Sequence, residues 1–156
     1  MNPTTRPSRQ NGFSILEALI AVLVLSIGLL GVAALQASAL RNNQSALERS
    51  LAVMQSYSIF DAMRANVAAM RTGNYNMGLT CTPPSGGTLA QNDRRQWLID
   101  VQAALNDSSA CGSIACTPAG VCTVSVQWDD SRGGVLTSTG TTSGSTTETV
   151  TTVSQL

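Results

Sequence analysis

The chain of 156 residues contains neither histidine nor lysine. Without imidazole, histidine-ligated metal sites and every nucleophilic triad with a histidine base are excluded. Nine arginines stand against nine acids, so the formal charge is zero and no basic surplus is left to neutralise a phosphate backbone. Proline is missing between Pro7 and Pro83, so nothing in that stretch enforces a helix break. Charge is missing from Phe13 to Leu35 except at Glu17. At this length the chain has room for about one domain. Much of its apolar content lies in that N-terminal block, which leaves the remainder short of core-forming residues.

The 23 residues from Phe13 to Leu35 are long enough to cross about 30 Å of hydrocarbon. A secretory signal peptide has a shorter apolar region and then a small-residue cleavage site, which "LLGVAALQASA" mimics only loosely. A buried helix of a soluble protein rarely runs this far without charge. A membrane span is therefore expected. Its N-terminal flank carries Arg6 and Arg9 and no acid, which keeps that side cytoplasmic and exports the rest. All four cysteines, Cys81, Cys111, Cys116 and Cys122, lie beyond the span, in a compartment where disulfides persist. Their spacing lacks the close pairs of a zinc site, so no metal or other cofactor is expected. Three pairings are possible, of which Cys81–Cys111 with Cys116–Cys122 is favoured.

Past the span, Leu40, Leu47, Leu51, Met54, Met63, Val67 and Met70 recur at helical spacing among charged and amide residues. The first strong stop is Gly73. One helix from about Ser14 to about Thr72 is expected, amphipathic in its second half; two helices hinged near Gln36 to Arg41 are the alternative. "GLTCTPPSGGT" then reads as a loop. A second helix follows over Leu89 to Asn106, burying Leu89, Trp97, Leu98, Val101, Ala104 and Leu105, with Arg94 and Arg95 on a solvated face. Cys111, Cys116 and Cys122 are placed in a loop leading to "VCTVSVQW". Alternation there predicts a strand with Cys122, Val124, Val126 and Trp128 inward. "GVLTSTG" and "TETVTTVSQL" are further strand candidates. The Ser/Thr-rich run over 136–149 reads as either a linker or a hairpin loop before a terminal strand. Asp129 and Asp130 are no catalytic pair, since neighbours on a strand point to opposite faces. No nucleophile, base or phosphate loop accompanies them, so an enzyme is not expected.

"GFSILE" and the apolar helix after it resemble the type IV prepilin signature. The resemblance implies an α+β pilin architecture: a leader over 1–12, a long helix over 13–72 with its transmembrane part at about 13–35, and an exported disulfide-containing domain over 73–156. In that domain one helix and a small antiparallel sheet would pack on the upper half of the long helix. It further implies cleavage between Gly12 and Phe13 by prepilin peptidase, N-methylation of Phe13, and an assembly role for Glu17. The position before the glycine, commonly basic in the family, is Asn11 here; with Arg9 nearby, processing is expected to survive. Further stretches are similar to minor pilins of the PilV group: Gly28 to Gln36, Arg49 and Ser50, Asp61 to Asn66, Gly73 to Tyr75, and the strand ending at Trp128 and Asp129. Expected partners are other minor pilins, the major pilin, the inner-membrane assembly platform and a tip adhesin. A bacterial inner-membrane location with a periplasmic C-terminal domain, and later the pilus, is implied. A minor pseudopilin of a type II secretion system is the nearest alternative, and a DNA-binding pilin for uptake is a weaker one. No nucleic acid is expected as partner, since loss of Arg6 and Arg9 leaves seven arginines against nine acids.

A carboxylate at the bilayer centre costs about 2.5–3.5 kcal/mol, less near the interface where Glu17 falls. The resemblance supplies a partner, the amine that cleavage creates on Phe13 of a neighbouring subunit. In a dry helix bundle that attraction far exceeds its value in water. The plainer account is an acid favoured by the positive end of its own helix. Gly28 and Gly31 are read either as close-packing sites or as ordinary glycines of a membrane helix.

Overall fold

The computed structural model describes residues 14–133, 135–136 and 142–156; Gly12 and Phe13 lie outside the described residues. The chain divides into two units, Met1–Ala37 and Ser38–Leu156. Helix α1 (Ile15–Ala65) belongs to both and has no break between Gln36 and Arg41. In the first unit its apolar residues are exposed on every side. All-round apolarity with internally bonded backbone is what a lipid environment demands.

In the second unit α1 stops at Ala65, short of the expected Thr72, and a separate α2 (Val67–Arg71) follows. The break is Asn66, whose backbone leaves the helical region at φ −133°, ψ 54°. Asparagine competes with helix by bonding locally. Here the Asn66 amide bonds Met63 O at 3.1 Å and its side chain donates to the Tyr75 hydroxyl at 3.4 Å. Gly73 does end the helical stretch, at φ 79°, a conformation glycine adopts without strain.

Strand β1 (Met77–Thr80) precedes helix α3 (Leu89–Leu105), and β2 (Cys111–Cys116), β3 (Val121–Trp128), β4 (Val135–Leu136), β5 (Thr142–Ser143) and β6 (Glu148–Gln155) follow. Four strands form an antiparallel sheet in the order β1-β2-β3-β6, and β4 pairs with β5 separately. The inward set of β3 is Cys122, Val124, Val126 and Trp128, all buried, as the alternation predicts. Thr88 caps α3 through a reciprocal pair with Gln91.

Four expectations need correction. Cys111 and Cys116 are not in a loop but bound β2, while Cys122 lies in β3 as the alternation predicts. "CGSIAC" lacks β-branched alternation because its small residues make room; a Cβ on Gly112 would meet the Trp97 ring at 2.5 Å. The stretch read as a loop from Gly78 begins inside β1, which is short and bulged. Leu89 is 63% exposed, since as the first residue of α3 it precedes the turn that packs. On α1 the buried residues are Glu48, Ala52, Ser56, Ile59, Phe60 and Met63, whereas Leu40, Leu47 and Met54 are more than half exposed. Small and polar residues face the sheet because Trp97 and Trp128 approach α1 closely and bring hydrogen bonds with them.

The core joins these α1 residues to Met70 and Tyr75, to Ala90, Trp97, Leu98, Val101 and Leu105 of α3, and to the inner sheet face. The sheet therefore covers one stripe of the second half of α1.

Candidate functional site

The first candidate is the N-terminal end of α1. Glu17 lies in its first turn and is exposed. Neither ion pair among the described residues involves it. Among the described residues, Gly28 and Gly31 have no atom within 4 Å of where a Cβ would be built, beyond their own helix backbone and chain neighbours, so their small size serves no packing there. The apolar window of this helix is likewise unburied by the rest of the chain.

The second half of α1 carries two apolar faces. At 100° per residue, Glu48, Ala52, Ile59 and Met63 group on one side, which the sheet covers. Leu40, Leu47 and Met54 repeat every seven residues and group on the opposite side, which nothing in the described chain covers. Such a spacing lets a second helix lie alongside.

The "DAMRAN" and "GNY" segments meet at the junction of α1, α2 and α3. Met63 is fully buried. Arg64 pairs with Asp61 at 2.7 Å and reaches Ser154 of β6 at 3.3 Å. The buried Tyr75 hydroxyl donates to Asp93 of α3 at 2.5 Å and accepts from Asn66. Burial, then the bond to Asp93, pushes its pKa up to about 12. Tyr75 thereby ties the helix break to α3, a role that no periodicity in the sequence announces.

Two tryptophans lock α1 to the rest of its unit. Trp97 Nε1 donates to Gln55 O at 2.9 Å, and Trp128 Nε1 donates to Glu48 Oε2 at 3.1 Å. The turn after β3 is latched as well: Ser45 Oγ donates to the buried Asp130 at 2.6 Å. Asp129 instead accepts from the Ser131 amide at 2.8 Å, which holds its carboxyl below the usual range. The two aspartates thus serve different partners and form no pair. Arg94 is half-buried rather than solvated, and donates to Asn76 O at 2.7 Å.

The disulfides are Cys81–Cys111 and Cys116–Cys122. The first fastens the loop before α3 to β2, and the second staples the β2–β3 hairpin. No group of three metal-ligating side chains occurs among the described residues. A shallow cleft of about 160 Å³ between α1 and α3 is lined by Ile59, Ala62, Asp93, Gln96, Trp97 and Asp100, with Ser58. Both its carboxylates are engaged, Asp93 by Tyr75 and Asp100 by Gln96 at 2.8 Å. That leaves neither carboxylate free to act as a base for Ser58.

Residues 7–33 match the family model described as the prokaryotic N-terminal methylation motif. Comparison with curated proteins and with solved structures finds no significant match. The motif supports a type IV pilin-like protein of a pilus or pseudopilus, a structural rather than an enzymatic class. Together with the long apolar helix it supports membrane anchoring and processing by prepilin peptidase.

Proposed function

We propose that this chain is a minor pilin of the PilV type, which helps initiate or cap a type IV pilus by packing α1 against other minor pilins and the major pilin. One observation carries the reading: the methylation motif over residues 7–33 runs directly into an apolar helix that the chain itself leaves uncovered. Lipid covers such a helix before assembly, and neighbouring helices replace lipid afterwards.

On this reading prepilin peptidase cuts between Gly12 and Phe13 and methylates the new amine on Phe13. Arg6 and Arg9 hold the leader in the cytoplasm, the second unit folds in the periplasm, and both disulfides form there. The assembly platform then lifts the subunit from the inner membrane, and a tip adhesin is a further partner. Glu17 pairs with the Phe13 amine of the adjacent subunit; an axial register error would separate the two charges in a low-dielectric bundle, so the pair sets the stagger. Exposed Leu40, Leu47 and Met54 extend the helix-packing surface beyond the membrane span. The Asp61–Asn66 and Gly73–Tyr75 segments favour the pilus over a secretion pseudopilus.

The test is assembly. Glu17→Ala protein should be processed and stay in the membrane, yet be depleted at least about tenfold from sheared pili; wild-type incorporation would sink the reading. Mass spectrometry of the mature chain should find N-methylated Phe13 at its start. Gene deletion should reduce surface piliation, and blocking retraction should restore part of it. Normal piliation with failed protein secretion would point to a pseudopilin instead.

A further inference from the structure

The cleft between α1 and α3 holds about 160 Å³. Pockets for drug-sized molecules and cofactors run to roughly 300–1,000 Å³, so a space of this size suits a single side chain. Its floor is apolar and fixed. Ile59 and Trp97 are buried, Ala62 is half-buried, and the bond from Trp97 Nε1 to Gln55 O at 2.9 Å holds the indole in place.

The rim is made of acceptors. Asp93, Gln96 and Asp100 fall at i, i+3 and i+7 on one face of α3, which spreads them over roughly 10 Å, and Ser58 adds a hydroxyl from α1. Each carboxylate is tied by one bond and keeps a second oxygen open: Tyr75 donates to Asp93 Oδ2, and Gln96 Nε2 donates to Asp100 Oδ1. The Gln96 carbonyl oxygen likewise receives no donor among the described residues. Neither aspartate enters an ion pair among the described residues. The nearest arginines are directed elsewhere. Arg94 donates to Asn76 O, Arg95 Nη1 lies beside Gly86, and Arg64 is held by Asp61. Two negative charges therefore face one side-chain-sized space with no cation supplied by the chain's own described residues.

We propose that this cleft receives an arginine side chain from another protein, its guanidinium donating to the open oxygens of Asp93, Asp100 and Gln96 while its methylene stem lies on Ile59 and Ala62. The charge of the rim calls for a cation, and the apolar floor for a stem that buries methylenes. Spread acceptors select arginine over lysine, because a guanidinium presents five donors in one plane whereas an ammonium is a compact point charge. The proposal rests on the second unit alone and stands apart from the prepilin reading.

The experiment titrates the full chain in nonionic micelles with the capped peptide acetyl-Ala-Arg-Ala-amide, read by the resonances of the Gln96 side-chain amide and the Trp97 indole N–H. Saturable shifts centred on the cleft are expected. The matching citrulline peptide, of the same shape without the charge, should bind about tenfold more weakly or worse, and the lysine peptide about threefold more weakly. Asp100→Asn removes one charge at an exposed position whose only side-chain bond among the described residues is to Gln96. It should weaken the arginine peptide about tenfold while moving the melting temperature by no more than a few degrees. No saturable shift, equal binding of the citrulline or lysine peptide, or full affinity in Asp100→Asn would each overturn the proposal. So would shifts of the same size at exposed Asp129, since the attraction would then be general to the acidic surface. Shifts that appear without peptide as protein concentration rises would overturn it too, because the occupant would then be a second copy.

Discussion

Trp128 Nε1 donates to Glu48 Oε2 at 3.1 Å, joining the end of β3 to α1 across 80 residues of sequence. Both groups are buried, so each is satisfied mainly by the other, with Gln44 adding a longer bond to Glu48 at 3.4 Å. Glu48→Ala leaves a buried indole N–H without a partner and should cost about 1–3 kcal/mol. Trp128→Ala removes the ring as well and should cost about 3–5 kcal/mol. Urea unfolding of the full chain in micelles measures both, and a Glu48→Ala cost near zero would argue against a hydrogen-bonded anchor.

Tyr75 gives the fold an alkaline limit. Its folded pKa is pushed up to about 12 from 10.0, first by burial and then by the bond to Asp93. Above pH 10 the unfolded chain releases this proton while the folded chain keeps it. Stability is therefore fully present below pH 10 and falls as pH rises toward 12. Tyr75→Phe should remove that contribution to the decline, while costing about 1.5–3 kcal/mol at neutral pH through the lost bond to a charged acceptor. Melting temperature against pH, with and without the substitution, checks the sign.

The two disulfides should differ in worth. Cys81–Cys111 closes a separation of 30 residues and Cys116–Cys122 one of 6. Chain entropy assigns them about 3.6 and about 2.3 kcal/mol. Paired serine substitutions at 81 and 111 should therefore lower unfolding stability by about 1 kcal/mol more than those at 116 and 122. Equal losses would mean that the hairpin staple stabilises by more than chain entropy, through enthalpy in the native state.

Gly112→Ala tests the closest approach in the unit. The added Cβ falls 2.5 Å from the Trp97 ring, and Trp97 is held in place by its bond to Gln55 O at 2.9 Å. Overpacking of this kind should cost about 1–3 kcal/mol. A shift in Trp97 fluorescence should accompany the loss.

Much of this protein is legible residue by residue. The uncharged run after Phe13 and the basic flank before it announce the anchor, because lipid tolerates only one kind of composition. Alternation in "VCTVSVQW" announces β3 and its inward face, because the period of a strand is two. The junction at Gly12 and Phe13 and the carboxylate at Glu17 are also visible as letters, since the methylation motif over residues 7–33 is a pattern of local sequence. Tertiary structure decided the rest. It put Glu48 and Ser56 inside and left Leu40, Leu47 and Met54 outside, because the Trp128 indole from a distant strand and the Ala52 carbonyl one turn back satisfy the buried polar groups. It turned the small residues of "CGSIAC" into a strand, because Trp97 needs the space above Gly112. It broke the long helix at Asn66, because Tyr75 lies close enough to bond its side chain. Local periodicity records what one element wants to bury; only the assembled unit decides which neighbour arrives to cover it.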